Sequence, residues 1–333
     1  MNFSSLPKPA KYFPLEKGIY EVAPGLRALG FDFGNDKLDK NVFQLDSDFQ
    51  KYRENKILCR NERLSKYYCV ADFSQEKRKV LSQFLLSQFI KEYPEYFYLE
   101  LHPINTILHC KLTDEVLIFN SEFILIETIY SKKNVLSKFE PYLDAFDALC
   151  SQVQEDIAIL SRKNKLDWLS ALHLCAPSHW AAEDKIGKNF ISVHAPVPHI
   201  EKLNSISPGI IEAMINKGPY VRFVWSFVTD KRLNHHPIAP AGHDSVKWKG
   251  RSFQLDNNEA PFHLRIERQV IYSFPPIESS LFGIRVSFIS GNEIRENQKK
   301  RELLKSSLLS MSEASKVYKG VHHCFDELIQ WLS

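Results

Sequence analysis

The sequence predicts an α+β fold built on a largely antiparallel sheet. Three observations carry this expectation. Helical patterns come first, over 74–92 and 139–160. Strand-like apolar runs cluster later, at Tyr220–Val228, Phe262–Phe274 and Leu281–Ile289. Loops or turns join those runs, without the regular long helices that parallel strands need as crossovers.

Taken in order, residues 1–30 are punctuated by Pro and Gly and read as an extended arm laid on the surface. Residues 41–69 place Phe49, Tyr52 and Ile57 on a short helix that Asp46 or Ser47 would cap. In 74–92, Val80, Leu81, Phe84, Leu85, Gln88 and Phe89 follow the i, i+3, i+4 rule, with Ser74 and Glu76 at the start and Pro94 at the stop. Residues 115–130 mix β-branched runs with polar breaks and read as strand or buried segment. Over 139–160, Tyr142, Phe146, Leu149, Val153 and Ile157 share one helical face, leaving Asp147, Glu155 and Asp156 on its solvated side. Trp168–Leu174 reads as a strand, and Trp180–Ile186 as one or two helical turns stopped by Gly187. Ser207–Asn216 reads as a helix capped by Ser207, with Pro208 at its first position. The loop 229–261 is polar and carries His235, His236 and His243. From Asn292 the tail is helical, and its closing apolar stripe (Val321, Phe325, Leu328, Ile329, Leu332) should dock on the body.

Composition narrows the function. A chain of 333 residues buries roughly three quarters of its unfolded surface, enough for a core and an internal pocket. The 43 basic and 40 acidic side chains are interspersed and give a net charge of +3, too mild for a nucleic-acid partner. No C-x-x-C pair exists among the six cysteines, so nothing suggests a zinc ribbon, a redox dithiol or an iron–sulfur cluster. The N-terminus lacks an apolar signal region and no apolar run approaches membrane-spanning length. The expectation is a cytoplasmic protein with reduced thiols and no membrane partner. There is no P-loop, no G-x-S-x-G and no dinucleotide fingerprint.

Chemically capable residues concentrate in Leu174–Ile200, which holds Cys175, His179, Trp180, His194 and His199. Pro196 and Pro198 fix the backbone and put His194 on a rigid, extended exit instead of mid-helix. A neutral imidazole there can bind a metal or haem iron if its second nitrogen is pinned by a carbonyl or carboxylate. The plain alternative is a hydrogen-bonded loop histidine. His179 stands beside Trp180 at a predicted helix start, where a structural N-terminal residue is the plainer reading. The pairs His235–His236 and His322–His323 point apart on any regular element and read as surface residues. A second stretch, Leu264–Phe274, interrupts an apolar strand with Arg265, Glu267, Arg268 and Gln269. Strand alternation puts Arg265 and Glu267 on one face and Arg268 on the other. Arginine forks, with Arg222 as a third, suit carboxylates such as a substrate acid or haem propionates. A strand-face ion-pair network explains them equally well. Glu267 in a pocket would anchor a cationic amine or shuttle a proton. Trp225 and Phe223 beside Arg222 would be core or a cation-binding wall.

Together the two stretches resemble the α-subunit family of haem-dependent oxidative N-demethylases. The matching residues are Pro177, Ser178 and Trp180; Lys185 and Gly187; His194, Pro196, Val197 and Pro198; Arg265, Glu267, Arg268 and Gln269; and Phe282, Ile284 and Arg285. The matched core spans about 145–290, with 40–70 similar more loosely. The chain departs from the family at Phe274–Pro276, where Leu-Pro is usual, and at Phe223–Trp225, which replaces a more polar segment.

The resemblance implies a PAS-like fold, mainly antiparallel sheet with helical additions at both ends. The arm and helical region would be 1–100, the haem-binding core 101–290 and the helical tail 291–333. It implies a b-type haem and oxygen-dependent removal of a methyl group from a small secondary amine such as dimethylamine. Electrons would come from NADPH through separate flavin and iron–sulfur proteins. His194 becomes the expected axial ligand of the iron, with His179 second. Arg222 and Arg265 would hold the cofactor, and Glu267 and Arg268 would act on the substrate. Two other functions stay open: a non-catalytic haem sensor, and a haem-free ligand-binding or scaffold protein.

Overall fold

Strands of twelve residues, His263–Phe274 and Ser279–Ser290, form the centre of the molecule. Both are buried almost throughout, the first of them even across the polar run Arg265, Glu267, Arg268 and Gln269. The computed structural model describes residues 5–130, 140–251, 253 and 262–333. Its strands are β1 (Arg27–Ala28), β2 (Tyr68–Val70), β3 (Phe97–Leu101), β4 (Asn105–Cys110), β5 (Glu115–Asn120), β6 (Leu125–Tyr130), β7 (Asp156–Lys163), β8 (Leu166–His173), β9 (Tyr220–Val228), β10 (His263–Phe274) and β11 (Ser279–Ser290). Seven of them make one sheet in the order β1-β9-β10-β11-β7-β8-β2, and β3 to β6 make a four-stranded meander. The pairings in both sheets are antiparallel, so the fold is α+β as expected.

Alternation along β10 divides the large sheet into two faces. Leu264, Ile266, Arg268 and Val270 point to the far face. There Leu264 and Ile266 pack under the C-terminal helices with Leu304, Leu308 and Leu328, and the expected apolar stripe of the tail docks. Val270 joins the core built on helix Gln75–Glu92 and the meander. Arg265, Glu267, Gln269 and Ile271 point to the near face. Its lower half is covered by helix Glu201–Asn216, through Ile211, Met214 and Ile215 against Ile271 and Leu160.

Several elements follow the sequence closely. Helix Gln75–Glu92 starts where Ser74 accepts the Lys77 amide and ends at Tyr93, before Pro94. The short turn Ala182–Lys185 stops ahead of Gly187, which sits at φ 75°. All six cysteines are free thiols. No helix among the described residues is long and apolar enough to cross a membrane.

Other elements differ. The helix expected over 139–160 is only Ala145–Cys150, and residue 139 lies outside the described residues. Asp156–Lys163 is strand β7, buried over its first six residues. Asp147, Glu155 and Asp156 are therefore not solvated: each is at most 1% exposed. Arg60 grips Asp147 with both terminal nitrogens, at 2.7 and 2.9 Å, and the Leu143 amide adds a third bond at 2.8 Å. Glu155 accepts the Gln44 amide at 2.7 Å. The helix expected from Ser207 begins at Glu201 and carries Pro208 inside it. Proline cannot donate to the Asn204 carbonyl four residues back. The Ser207 hydroxyl does so instead, at 2.8 Å. Helix Phe49–Arg63 has Asp48 at its N-cap position, while Asp46 is spent on Arg285, at 2.6 Å.

Candidate functional site

Two loops close over the upper half of the near face, and Arg265 holds both. Its guanidinium is fully buried and donates to the Leu233 carbonyl at 2.9 Å, to the Ala176 carbonyl, and to Glu267 Oε1 at 3.5 Å. The segments 177–179 and 234–236 then pair with each other. Ser178 bridges His235, the His179 amide donates to the His235 carbonyl at 3.0 Å, and the His235 amide donates to Pro177 at 3.1 Å. Arg265 thus positions the loops that carry the histidines, and its charge is already committed.

His194 lies on the last residue of the short helix Phe190–His194, not on the extended exit expected from the prolines. Asn189 accepts the Ser192 amide and starts the turn before Pro196 can act. The consequence is chemical. His194 Nδ1 lies 2.7 Å from the Phe190 carbonyl, which can only accept, so Nδ1 carries the proton and Nε2 carries the lone pair. Burial depresses its basicity, and Arg222 and Lys185 add to that against the opposing Phe190 carbonyl, so the ring stays neutral.

Arg222 comes from β9, opposite Gln269 of β10, and so shares the near face with Glu267. Its buried Nε has no partner among the described residues, and burial with Glu267 as the opposing charge governs its ionisation. Glu267 is 8% exposed and accepts from Gln269 at 3.0 Å. His179 stands at φ 63°, a region that costs a non-glycine residue about 1–3 kcal/mol. Its Nε2 is buried without a partner. Burial, then Arg251, His235 and further arginines, push its pKa down to about 2. Arg268 belongs elsewhere. On the far face, 2% exposed, it donates to the Asn41 carbonyl at 2.7 Å and clamps the segment before helix Phe49–Arg63. It thus lies on the face opposite Glu267, with which it was grouped from sequence.

The sequence missed five contributors. His235 and His236 are not surface residues: they are 0% and 1% exposed, and His235 Nε2 lies 3.3 Å from Asp230. Arg251 approaches His179 from the loop 229–261, much of whose end lies outside the described residues, and its buried Nε too has no partner among the described residues. Tyr318 and Lys319 reach the field of Glu267 from helix Glu313–Lys319 of the tail. Isolated cations in a loop and a tail carry no motif, so no sequence signal marks them. Gly250 tests how tightly the loop is fitted. It sits at φ 59°, and a Cβ there would meet His235 Nε2 at 3.0 Å. Gly250→Ala should destabilise the chain by roughly 1–2 kcal/mol in a denaturant titration, from the left-handed backbone alone.

The near face therefore gathers Arg222 and Arg265 beside one carboxylate, Glu267, with Arg251 beside His179, while Lys319, seated on Trp225, feels that carboxylate through its field. Arg222 and Arg251 each keep a nitrogen with no hydrogen-bond partner among the described residues. Elsewhere, the buried trio Asp156, His173 and Cys175 offers ligand atoms within 4.8 Å of one another. Asp156 already accepts the Cys175 and Ala176 amides, at 2.9 and 2.6 Å, and the Lys56 cation acts on it. That charge opposes a second cation. A cavity of about 550 Å³ lies by Pro7, Lys37, Asn41 and Tyr93 and holds none of the near-face residues.

A family model described as haem-dependent oxidative N-demethylase, alpha subunit-like, matches residues 34–329. The near face fits the group that this description names. A haem brings two carboxylates and an iron that takes an imidazole. The surplus of arginine charge, the unpartnered Arg222 and Arg251 nitrogens, and the pinned tautomer of His194 suit those needs. An alpha subunit also implies other subunits or partners. Over nearly its whole length, the chain belongs to the haem-dependent oxidative N-demethylase, alpha-subunit-like family.

Proposed function

We propose that the chain is the haem-bearing subunit of an oxidative N-demethylase acting on a small secondary amine such as dimethylamine. The observation that carries the reading is His194, whose Nδ1–H is fixed on Phe190 so that Nε2 is left as a ligand. A haem b would be held by His194 at the iron and by Arg222 and Arg251 at the propionates. Arg265, assigned to the cofactor from sequence, supports the site by fixing the loops. The large sheet with its covering loops would be the PAS-like core.

When bound, haem supplies oxidation of the N-methyl carbon by dioxygen and two external electrons. One oxygen atom leaves in formaldehyde, after collapse of the carbinolamine, and the other leaves in water with two protons. The electrons would start at NADPH and arrive through separate flavin and iron–sulfur partners. The chain's own residues do the rest. Glu267 offers a carboxylate to the substrate ammonium, and Gln269 and Arg265 hold that carboxylate in place, at 3.0 and 3.5 Å. His179 and His235 stay neutral because burial depresses both, so the wall adds no charge that would repel the amine.

The test is formaldehyde release from dimethylamine by the haem-loaded chain with dioxygen and a reductant. Turnover is expected, and Glu267→Gln should raise KM about 10–100-fold, the worth of one charged hydrogen bond. A loaded chain that releases no formaldehyde from any small N-methylamine would leave the sensor reading in its place.

A further inference from the structure

Lys319 occupies an unusual seat. It ends helix Glu313–Lys319, is 6% exposed, and donates to the main-chain carbonyl of Trp225. Its Nζ lies 4.6 Å from the centre of the Trp225 ring and 5.3 Å from that of Tyr20. The two rings stand nearly perpendicular, at 87° with centroids 5.9 Å apart, and so form a corner. The Tyr318 ring lies 5.9 Å away as a third wall. Among the described residues no carboxylate pairs with Lys319: Glu267 acts on it only through its field, and burial pushes its pKa down to about 7. Two aromatic faces and a carbonyl oxygen around one ammonium are the chemistry that recognises alkylammonium ions.

We propose that Tyr20, Trp225 and the Trp225 carbonyl form a binding site for a small alkylammonium ion, and that Lys319 is its resident competitor. The chain's own ammonium fills the seat until a ligand of the same chemistry displaces it. Tyr20 belongs to the N-terminal arm, whose amide donates to Ser310 of the tail at 2.8 Å, so arm and tail build the seat together. The ligand class is read from the seat itself. Trp225 pairs with Ile266, on the face away from Glu267, so any connection of this seat to amine turnover rests on the function proposed above.

Calorimetric titration of the full chain with dimethylammonium chloride, against sodium chloride, tests this. Lys319→Ala empties the seat and should bind dimethylammonium at least tenfold more tightly than the wild type. Lys319→Met fills the same space with an uncharged stem and should show no gain. Tyr20→Leu added to Lys319→Ala should remove the gain. In the wild type, which needs no altered residue to fold, dimethylammonium should accelerate acylation of Lys319 by an amine-reactive ester, read by mass spectrometry, and sodium should not. Equal affinities for Lys319→Ala and wild type, a gain in Lys319→Met as large as in Lys319→Ala, or no acceleration of acylation would each overturn the proposal. None of these readouts needs haem, so their failure is distinct from failure of the demethylase reading.

Discussion

Asp147→Ala is expected to cost about 3–5 kcal/mol of stability, the range for removing one partner of a buried ion pair. Asp147 is fully buried and takes both terminal nitrogens of Arg60, at 2.7 and 2.9 Å, while His173 Nε2 lies 3.4 Å away. The alanine takes away the carboxylate that faces the buried Arg60 charge, leaving it neutral partners such as the Glu140 carbonyl, at 2.7 Å, the Pro141 carbonyl and the Tyr142 ring, 4.9 Å away. Burial alone would raise the Asp147 pKa, but His173 and Arg60 outweigh it and hold the carboxyl below its ordinary value. The contribution is therefore present above the unfolded pKa, near 3.9, and is lost as pH falls through the lower folded value. Chemical denaturation at neutral pH measures the difference. A loss under about 1 kcal/mol would mean that Arg60 finds water, against the buried geometry. Asp147→Asn keeps the shape without the charge and should fall between.

His194→Ala is expected to remove the chain's hold on haem iron. Losing even a group that only orients a metal ligand costs roughly 10–100-fold in affinity. Loss of the ligating nitrogen itself should exceed that. The fold should tolerate the change, because His194 is half-buried on a five-residue helix and its ring bonds back to Phe190 within the same turn. His179→Ala is the matched control. It removes a buried imidazole whose Nε2 is likewise unpartnered, but whose position beside Arg251 and His235 suits a wall better than an axial ligand. It should leave iron ligation in place.

What the sequence could reveal follows from range. The face shared by Arg265 and Glu267, with Arg268 opposite, was legible because strand alternation is local. Helix Gln75–Glu92 was legible because its start, stripe and stop lie within twenty residues. Strand β7 was not. Ile157 continues the spacing of Tyr142, Phe146, Leu149 and Val153 by accident, and a strand buried on both faces has no polar alternation to contradict a helix. Asp147 looked solvated because its partner, Arg60, lies 87 residues away. His235 and His236 looked superficial for the same reason. Their burial depends on distant partners: Arg265, 32 residues from Leu233, holds their loop on the sheet, and Tyr67 bonds the adjoining Asn234. The short strands β2, β3 and β4 carry too few residues to show a period. At the site, the histidine motif and the Arg265–Gln269 run were visible, whereas Arg251, Tyr318 and Lys319 arrive from segments whose placement depends on the finished fold.

The central claim is that this chain binds haem through His194, and the most direct measurement is the absorption spectrum of the purified protein, produced with a haem supply, beside His194→Ala. The account predicts an intense Soret band in the wild type that is lost or shifted in His194→Ala and retained in His179→Ala. A colourless wild type that takes up no added haem, or a band unchanged by His194→Ala, would contradict it.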